Sequence, residues 1–391
     1  MSFRCEVNVF GAYPQYFGYS NLFCLPLNFG QFFYQSGCFM FTQRMLLNRF
    51  RCVIALLFLV GVTACSRTPE LKKLEGYAQG TTYHISWWSE SGISADKIRP
   101  LFDQRLAQID KELSTYRDDS YISKFNQSHS TEWQPASDDF IELLKIARRV
   151  NQKTQGCYDP TVGPLFNLWG FRKSDFKVPD SQQIAAVKAE LGLDKIEVDE
   201  QGKRIRKTLP QVQLDFSSMG EGYTIGKLSA ILESHGIVNY LVEFGGDMKI
   251  KGHKPDGSKW RIAIERPIHK DDDIQPYKIV TIQDEQGVTL DTSGTYRRSF
   301  DANGQSYSHI LDPRTGASVT HDLVSASVFG QIPAESDAWA TAMLCLGPQA
   351  GYQVAQQENL EVFFIRAAQG KFIDQQSPAL EHSTRVLFHQ E

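Results

Sequence analysis

Apolar and polar residues alternate through 77–88, the period of a half-buried strand. The period then lengthens. Ile98, Leu101, Phe102, Ile109 and Leu113 recur at helical spacing behind Ser94, a residue type that caps helix N-termini. Phe140, Ile141, Leu144, Ala147 and Val150 do the same behind Ser137, and a polar loop is expected between the two helices. Residues 181–191 predict a third helix halted by Gly192, and 195–206 a hairpin turning at Gln201-Gly202. A strand over 212–216 is expected to lead into a helix over 220–234, ended by Gly236 and followed by a strand over 240–244. Further strands are predicted at 248–251, 260–265, 278–282, 306–311 and 323–329. The apolar run 338–346 predicts a late helix, with a short helix after Pro348 and a closing hairpin around Gly370. Helices and strands mix without regular alternation, and neither an internal repeat nor a long linker divides them. The pattern predicts an α+β fold, not a doubly wound sheet.

The beginning of the chain concerns address. Arg49 and Arg51, the apolar run 53–62 and the small residues before Cys65 read as a secretion signal over 45–64. The run is too short to span a bilayer as a mature helix. Val62-Thr63-Ala64-Cys65 resembles the bacterial lipobox, so Cys65 is expected to become the acylated first residue. Residues 65–75 then form a tether and 76–391 the folded domain. Residues 1–44 are rich in Phe, Tyr and Gly without a steady period, and are expected to be an over-extended N-terminus ahead of a start at Met45.

A net charge of −4 with interspersed signs offers no basic stripe, so nucleic acid is not an expected partner. Of seven cysteines, only Cys157 and Cys345 lie beyond Cys65. A disulfide scaffold is excluded on that count, and the two thiols are expected to be unpaired.

Candidate chemistry centres on Asp337 and Thr341, one helical turn apart within an apolar run that has no packing need for oxygen. A carboxylate and a hydroxyl on one face suit a hard cation that leaves positions open for phosphate. The competing reading makes Asp337 a helix cap or first-turn acid and has Thr341 bond back to its own helix. Gly220-Glu221-Gly222-Tyr223-Thr224-Ile225-Gly226, with Glu243 about twenty residues on, looks superficially like a dinucleotide fingerprint. Its last glycine is one residue late, and no alternating strand and helix pattern surrounds it.

Several segments, in order along the chain, resemble the ApbE family of FAD:protein FMN transferases. They are Gln79-Gly80-Thr81-Thr82-Tyr83, Ser114-Thr115-Tyr116, Ile122-Ser123-Lys124-Phe125-Asn126, Asp159-Pro160-Thr161-Val162-Gly163-Pro164-Leu165 and Leu168-Trp169-Gly170-Phe171. They continue through 215–223, Phe244-Gly245-Gly246-Asp247, Thr292-Ser293-Gly294-Thr295-Tyr296, 309–316 and 337–341. The resemblance implies an α+β fold of the T-fold type, with largely antiparallel sheets and packed helices. It implies transfer of the FMN half of FAD to a Ser or Thr hydroxyl of an acceptor protein, with AMP released.

By the same resemblance Asp337, Thr341 and a carbonyl near Ser218 hold magnesium. His309 is the base for the acceptor hydroxyl, a role suited to an ordinary pKa of about 6.5. Gln79, Tyr116, Cys157, Tyr158, Asp159, Asp215, Glu221 and Thr292 fall at FAD-pocket positions; a turn role for Asp159 before Pro160 stays open beside that. The chain departs from the family where Lys is common at Glu221, Met at Gln79 and a small residue at Cys157. Implied acceptors include subunits of sodium-pumping quinone reductase and Rnf complexes. The expected location is the periplasmic side of the inner membrane, through the lipid anchor, although Ser66 leaves outer-membrane sorting open. Two other readings share the pocket: an FAD pyrophosphatase giving FMN and AMP, and a flavin-binding lipoprotein without chemistry.

Overall fold

The alternation through 77–88 folds as a hairpin. Gln79 (φ 53°) and Gly80 (φ 86°) form a two-residue turn that sets β1 (Lys72–Ala78) antiparallel to β2 (Thr81–Trp88). This computed structural model describes residues 69–268 and 274–389. The expectations for residues 1–44, the 45–64 signal and acylation at Cys65 lie outside the described residues. Burial of Leu74 pulls 72–75, expected to lie in the tether, into the sheet.

Helix α1 (Ala95–Leu113) follows Ser94 as expected. The expected polar loop holds α2 (Tyr121–Gln127), capped where Ser120 Oγ accepts the Ser123 N–H at 3.1 Å, and β3 (Gln134–Pro135). In α3 (Asp138–Lys153) the cap is Ser137, whose Oγ accepts the Phe140 N–H at 3.0 Å. An unforeseen short helix α4 (Gly163–Leu168) precedes α5 (Ser181–Lys188) and the hairpin of β4 (Ile196–Asp199) and β5 (Arg204–Lys207).

Residues 212–216 are not a strand. Asn126 takes the place of a neighbouring strand: its Oδ1 accepts the Leu214 N–H at 2.7 Å and its Nδ2 donates to the Leu214 carbonyl at 2.8 Å. The Asp215 N–H donates to the Pro160 carbonyl at 2.7 Å.

The chain continues through α6 (Gly220–Ser234), β6 (Asn239–Phe244), β7 (Asp247–Lys251), β8 (Arg261–Glu265) and β9 (Pro276–Ile282). An unforeseen strand, β10 (Val288–Gly294), comes next. The expected strand at 306–311 is broken at His309, between β12 (Gln305–Ser308) and β13 (Leu311–Asp312); β11 (Ser299–Ala302) pairs with β12 and β14 (Ala317–Ser318) with β13. Then come β15 (Leu323–Gly330), α7 (Pro333–Gln357), β16 (Glu361–Ala368), β17 (Lys371–Gln376), α8 (Pro378–Glu381) and β18 (Val386–Phe388). Helix α7 is interrupted at Gly347 (φ 78°, ψ −179°), where a Cβ would stand 2.5 Å from the His321 ring.

One eight-stranded sheet, in the order β1-β2-β6-β7-β10-β15-β16-β17, organises the molecule, and its pairings are all antiparallel. Both faces are covered. Val328 and Phe364 join Phe140, Leu144 and Met343 under α3 and α7, while Phe329, Phe363 and Ile365 meet Trp260, Ile262 and Val280 of the small β18-β9-β8 sheet. Helices α1 and α6 bury Phe102 and Leu228 against Trp87 and Tyr240. The two-residue strand period thus feeds two cores from one sheet in an α+β fold. Among the described residues no helix is long and apolar enough to cross a membrane.

Candidate active site

Helices α6 and α7 touch at their first turns because residue 222 has no side chain. A Cβ there would stand 2.4 Å from the Pro333 carbonyl oxygen and 2.9 Å from Asp337 Cβ. The approach lets the Gly222 N–H donate to Asp337 Oδ2 at 3.0 Å. Gly222 therefore serves a helix crossing, and the all-antiparallel sheet excludes a doubly wound dinucleotide domain.

Asp337 is 6 % exposed and lies a full turn beyond Ile332, the cap residue of α7, so it is neither a cap nor a first-turn acid. It shares one stripe with Thr341 and Cys345, spaced four residues apart. Facing that stripe, β10 turns Thr289, Asp291 and Ser293 to the same side. Thr289 Oγ1 donates to Ser336 Oγ at 2.9 Å, and Ser293 Oγ meets Thr341 Oγ1 at 3.1 Å. Asp291 is fully buried; neither of its carboxylate oxygens makes a well-formed hydrogen bond among the described residues, and only the Thr289 hydroxyl is near enough to lower its pKa.

Charge accumulates at this crossing. Burial pushes the Asp337 pKa up to about 7 against the pull of the Gly222 N–H. Burial, then repulsion from Asp337, raises Glu221 to about 8 and lifts Asp291 well above the carboxylate range. Asp247 is raised in the same direction by burial and by Asp291, although its Oδ1 accepts the Thr292 N–H at 2.7 Å. Buried, under-partnered carboxylates are costly unless protonated or met by a cation. One carboxylate and one hydroxyl on the α7 stripe fit magnesium, which takes few protein oxygens and keeps other positions for water or phosphate. Among the described residues, the only trio of His, Cys, Asp or Glu ligand atoms lying mutually within 4.8 Å is Cys157, Asp312 and Cys345. The two sulfurs are bonded to each other, so that trio is no metal centre.

This bond corrects the expectation of unpaired thiols: Cys157 and Cys345 form a disulfide across 188 residues, with Cα atoms 5.8 Å apart. Two cysteines so far apart carry no pairing signal; the fold brings them together. The bridge ties the stripe of α7 to the segment before α4. There Tyr158 is buried, its phenol accepts from Ser218 Oγ at 3.1 Å, and its pKa is raised chiefly by burial and further by Asp337. Ser218 stands two residues ahead of α6, beside the crossing.

Asp159 stabilises its own turn: Oδ1 accepts from the Thr161 N–H at 2.8 Å and from Thr161 Oγ1 at 2.7 Å, and Oδ2 accepts the Leu193 N–H at 3.3 Å. Asp215 accepts from the Ser217 N–H at 2.9 Å and pairs with Arg172 at 2.6 Å. Arg172, which sequence reasoning missed, also donates to Thr115 Oγ1 at 2.9 Å, with its guanidinium carbon 5.8 Å from the centre of the exposed Tyr116 ring. Tyr116, Asp215 and Arg172 therefore form one polar wall. Gln79, in the β1–β2 turn, accepts from Thr224 Oγ1 of α6 at 3.2 Å. Thr292 Oγ1 meets Ser327 Oγ at 2.8 Å within the sheet.

His309 occupies the break between β12 and β13. The Arg298 carbonyl accepts its Nδ1–H at 3.0 Å, which fixes the tautomer and leaves Nε2 with its lone pair. The ring is half-buried; its desolvation beside Phe171, opposed by the Arg298 carbonyl and reinforced by the charges of Arg298 and Arg297, lowers its pKa to about 4.

The family model described as "ApbE family" matches residues 79–364. The FAD:protein FMN transferase of Klebsiella pneumoniae is 36 % identical over 296 residues, 75 % of this chain and 83 % of that protein. Its namesake from Escherichia coli K12 is 35 % identical over 346 residues, 85 % of this chain and 95 % of that protein. Among solved structures, the flavin transferase ApbE of Vibrio cholerae matches with a TM-score of 0.72 at 33 % identity, covering 80 % of this chain and 99 % of that one. The apo flavinyl transferase ApbE of Pseudomonas stutzeri also reaches 0.72, at 32 % identity over 80 % of this chain and 96 % of that one. With a family match over most of its length and relatives covered nearly end to end, the chain belongs to the ApbE family.

Proposed function

We propose that this chain is an FAD:protein FMN transferase that moves the FMN half of FAD onto a Thr or Ser hydroxyl of an acceptor protein and releases AMP. The observation that carries the reading is the α6–α7 crossing, where a buried oxygen-bearing face holds more carboxylate than its hydrogen bonds can satisfy. Asp337, Thr341 and the backbone at Ser218 would hold a magnesium ion there, and the ion would neutralise charge on the FAD diphosphate.

The chain's own residues supply the rest. The Tyr116–Arg172–Asp215 wall offers a ring face and hydrogen-bond partners to a flavin nucleotide, and the buried Tyr158 backs Ser218 beside it. The Nε2 of His309 takes the proton as the acceptor oxygen bonds to the phosphorus that bears riboflavin. The bond from that phosphorus to the bridging oxygen breaks, and the electron pair leaves with AMP.

Export and anchoring through Cys65, on the periplasmic side of the inner membrane, belong to the same proposal. The disulfide supports it, because such bonds persist in oxidising compartments. Acceptors there would be exposed protein threonines, such as those of sodium-pumping quinone reductase or Rnf subunits. Incubation with FAD, magnesium and an acceptor domain tests the reading: fluorescent, gel-resolved acceptor is expected from the wild type. His309→Ala should keep FAD binding and lose labelling by about a hundredfold or more. Release of free FMN without labelled protein would reject the transferase in favour of a pyrophosphatase.

A further inference from the structure

Beyond Gly294 the chain leaves β10 and carries Arg297 to a position that no motif assigned. Its Nη2 donates to Glu265 Oε2 at the end of β8, at 2.5 Å, and the Arg side chain stays 46 % exposed. Beside it lies the Gly245-Gly246 turn between β6 and β7, with both residues at positive φ (67° and 107°). A Cβ on Gly246 would stand 3.5 and 3.6 Å from the two Nη atoms, and one on Gly245 would stand 2.5 Å from the Glu221 carboxylate. The diglycine turn is thus bracketed by a guanidinium on one side and the acidic crossing on the other. The charge of Arg297 also reaches both Glu221 and His309, lowering the pKa of each. It therefore stands where the cation-binding face and the proton acceptor converge.

We propose that Arg297 is the diphosphate clamp of this enzyme: released from Glu265, its fork takes phosphate oxygens of FAD over the Gly245-Gly246 turn, opposite the cation. A guanidinium matches phosphate bidentately, and a side-chain-free turn admits the anion to the backbone. Glu265 is then a built-in competitor, which a dinucleotide displaces and riboflavin does not. The proposal rests on the flavin-transferase reading and adds to it the residue that selects for the diphosphate.

The test uses the full chain with magnesium and follows flavin fluorescence on titration with FAD and, separately, riboflavin. Arg297→Met is expected to weaken FAD binding about tenfold or more with riboflavin unaffected, and Arg297→Lys to restore part of the loss. Glu265→Gln, which frees the guanidinium, is expected to tighten FAD binding a few-fold. ADP should compete with FAD on the wild type and fail to do so on Arg297→Met. Equal losses for FAD and riboflavin in Arg297→Met, or weaker FAD binding by Glu265→Gln, would overturn the clamp. A wild type that binds and transfers FMN while Arg297→Met binds FAD equally well sinks the clamp alone, whereas a wild type that binds no FAD sinks the transferase reading beneath it.

Discussion

The Nδ1–H of His309 is committed to a carbonyl, so proton uptake must occur at Nε2. Desolvation and the two nearby arginines lower the pKa of this half-buried ring to about 4, away from neutrality. Asp337 is raised to about 7, and on the proposed reading it must shed a proton before magnesium binds. At saturating magnesium the labelling rate is therefore expected to stay level to about pH 5, and at limiting magnesium to fall below about pH 7. Rate profiles at the two concentrations check this, and coincident profiles would refute it. Gly222→Ala should cost about 2 kcal/mol or more, because its Cβ meets a backbone carbonyl that cannot move alone. Denaturant unfolding measures that loss, and an unchanged midpoint would remove the crossing from the account. The shared face of Asp337 and Thr341 on α7 was legible from their four-residue spacing. Arg172, Arg297 and Asp291 were not: an arginine after a turn or an acid inside a strand has no period to betray it.

Among the elements, α3 and α6 were legible because a cap or glycine boundary agreed with a helical stripe at each. Strand β10 was hidden by its own chemistry: Asp291 and Ser293 interrupt an apolar pattern because they face the polar stripe of α7. Residues 212–216 misled in the opposite sense, since an extended apolar run can be satisfied by one asparagine as well as by a neighbouring strand. The acidic face where α6, α7 and β10 meet also predicts a pH-dependent stability. Asp337 and Glu221 have folded pKa values above those of the unfolded chain, so the native state holds more protons between about pH 4 and 8. Without divalent cation, stability should fall as pH rises through that window, and magnesium should restore it at the upper end. Melting temperatures at pH 5 and 8, with chelator or magnesium, decide this, and a chelated protein that gains stability with pH would contradict the acidic face. Asp291→Asn should flatten the slope.

For the molecule as a whole, the Cys157–Cys345 bond closes a loop of 188 residues that joins the segment before α4 to the helix bearing Asp337 and Thr341. In the chain-entropy account a loop of that length is worth up to about 5 kcal/mol. The double variant Cys157→Ser/Cys345→Ser is expected to lose much of that stability and to bind FAD more weakly, since Tyr158 adjoins the bridge. Calorimetry with flavin titration would show it, and retention of wild-type values in both would make the bond dispensable.

The wide spacing of the two cysteines also bears on biogenesis. If the chain is exported N-terminus first, as proposed, Cys157 emerges long before its partner, and the only thiol ahead of it in the mature chain is Cys65. Acylation would then do more than anchor the enzyme: by occupying that sulfur it would keep an oxidase from joining the wrong pair while Cys345 is still in transit.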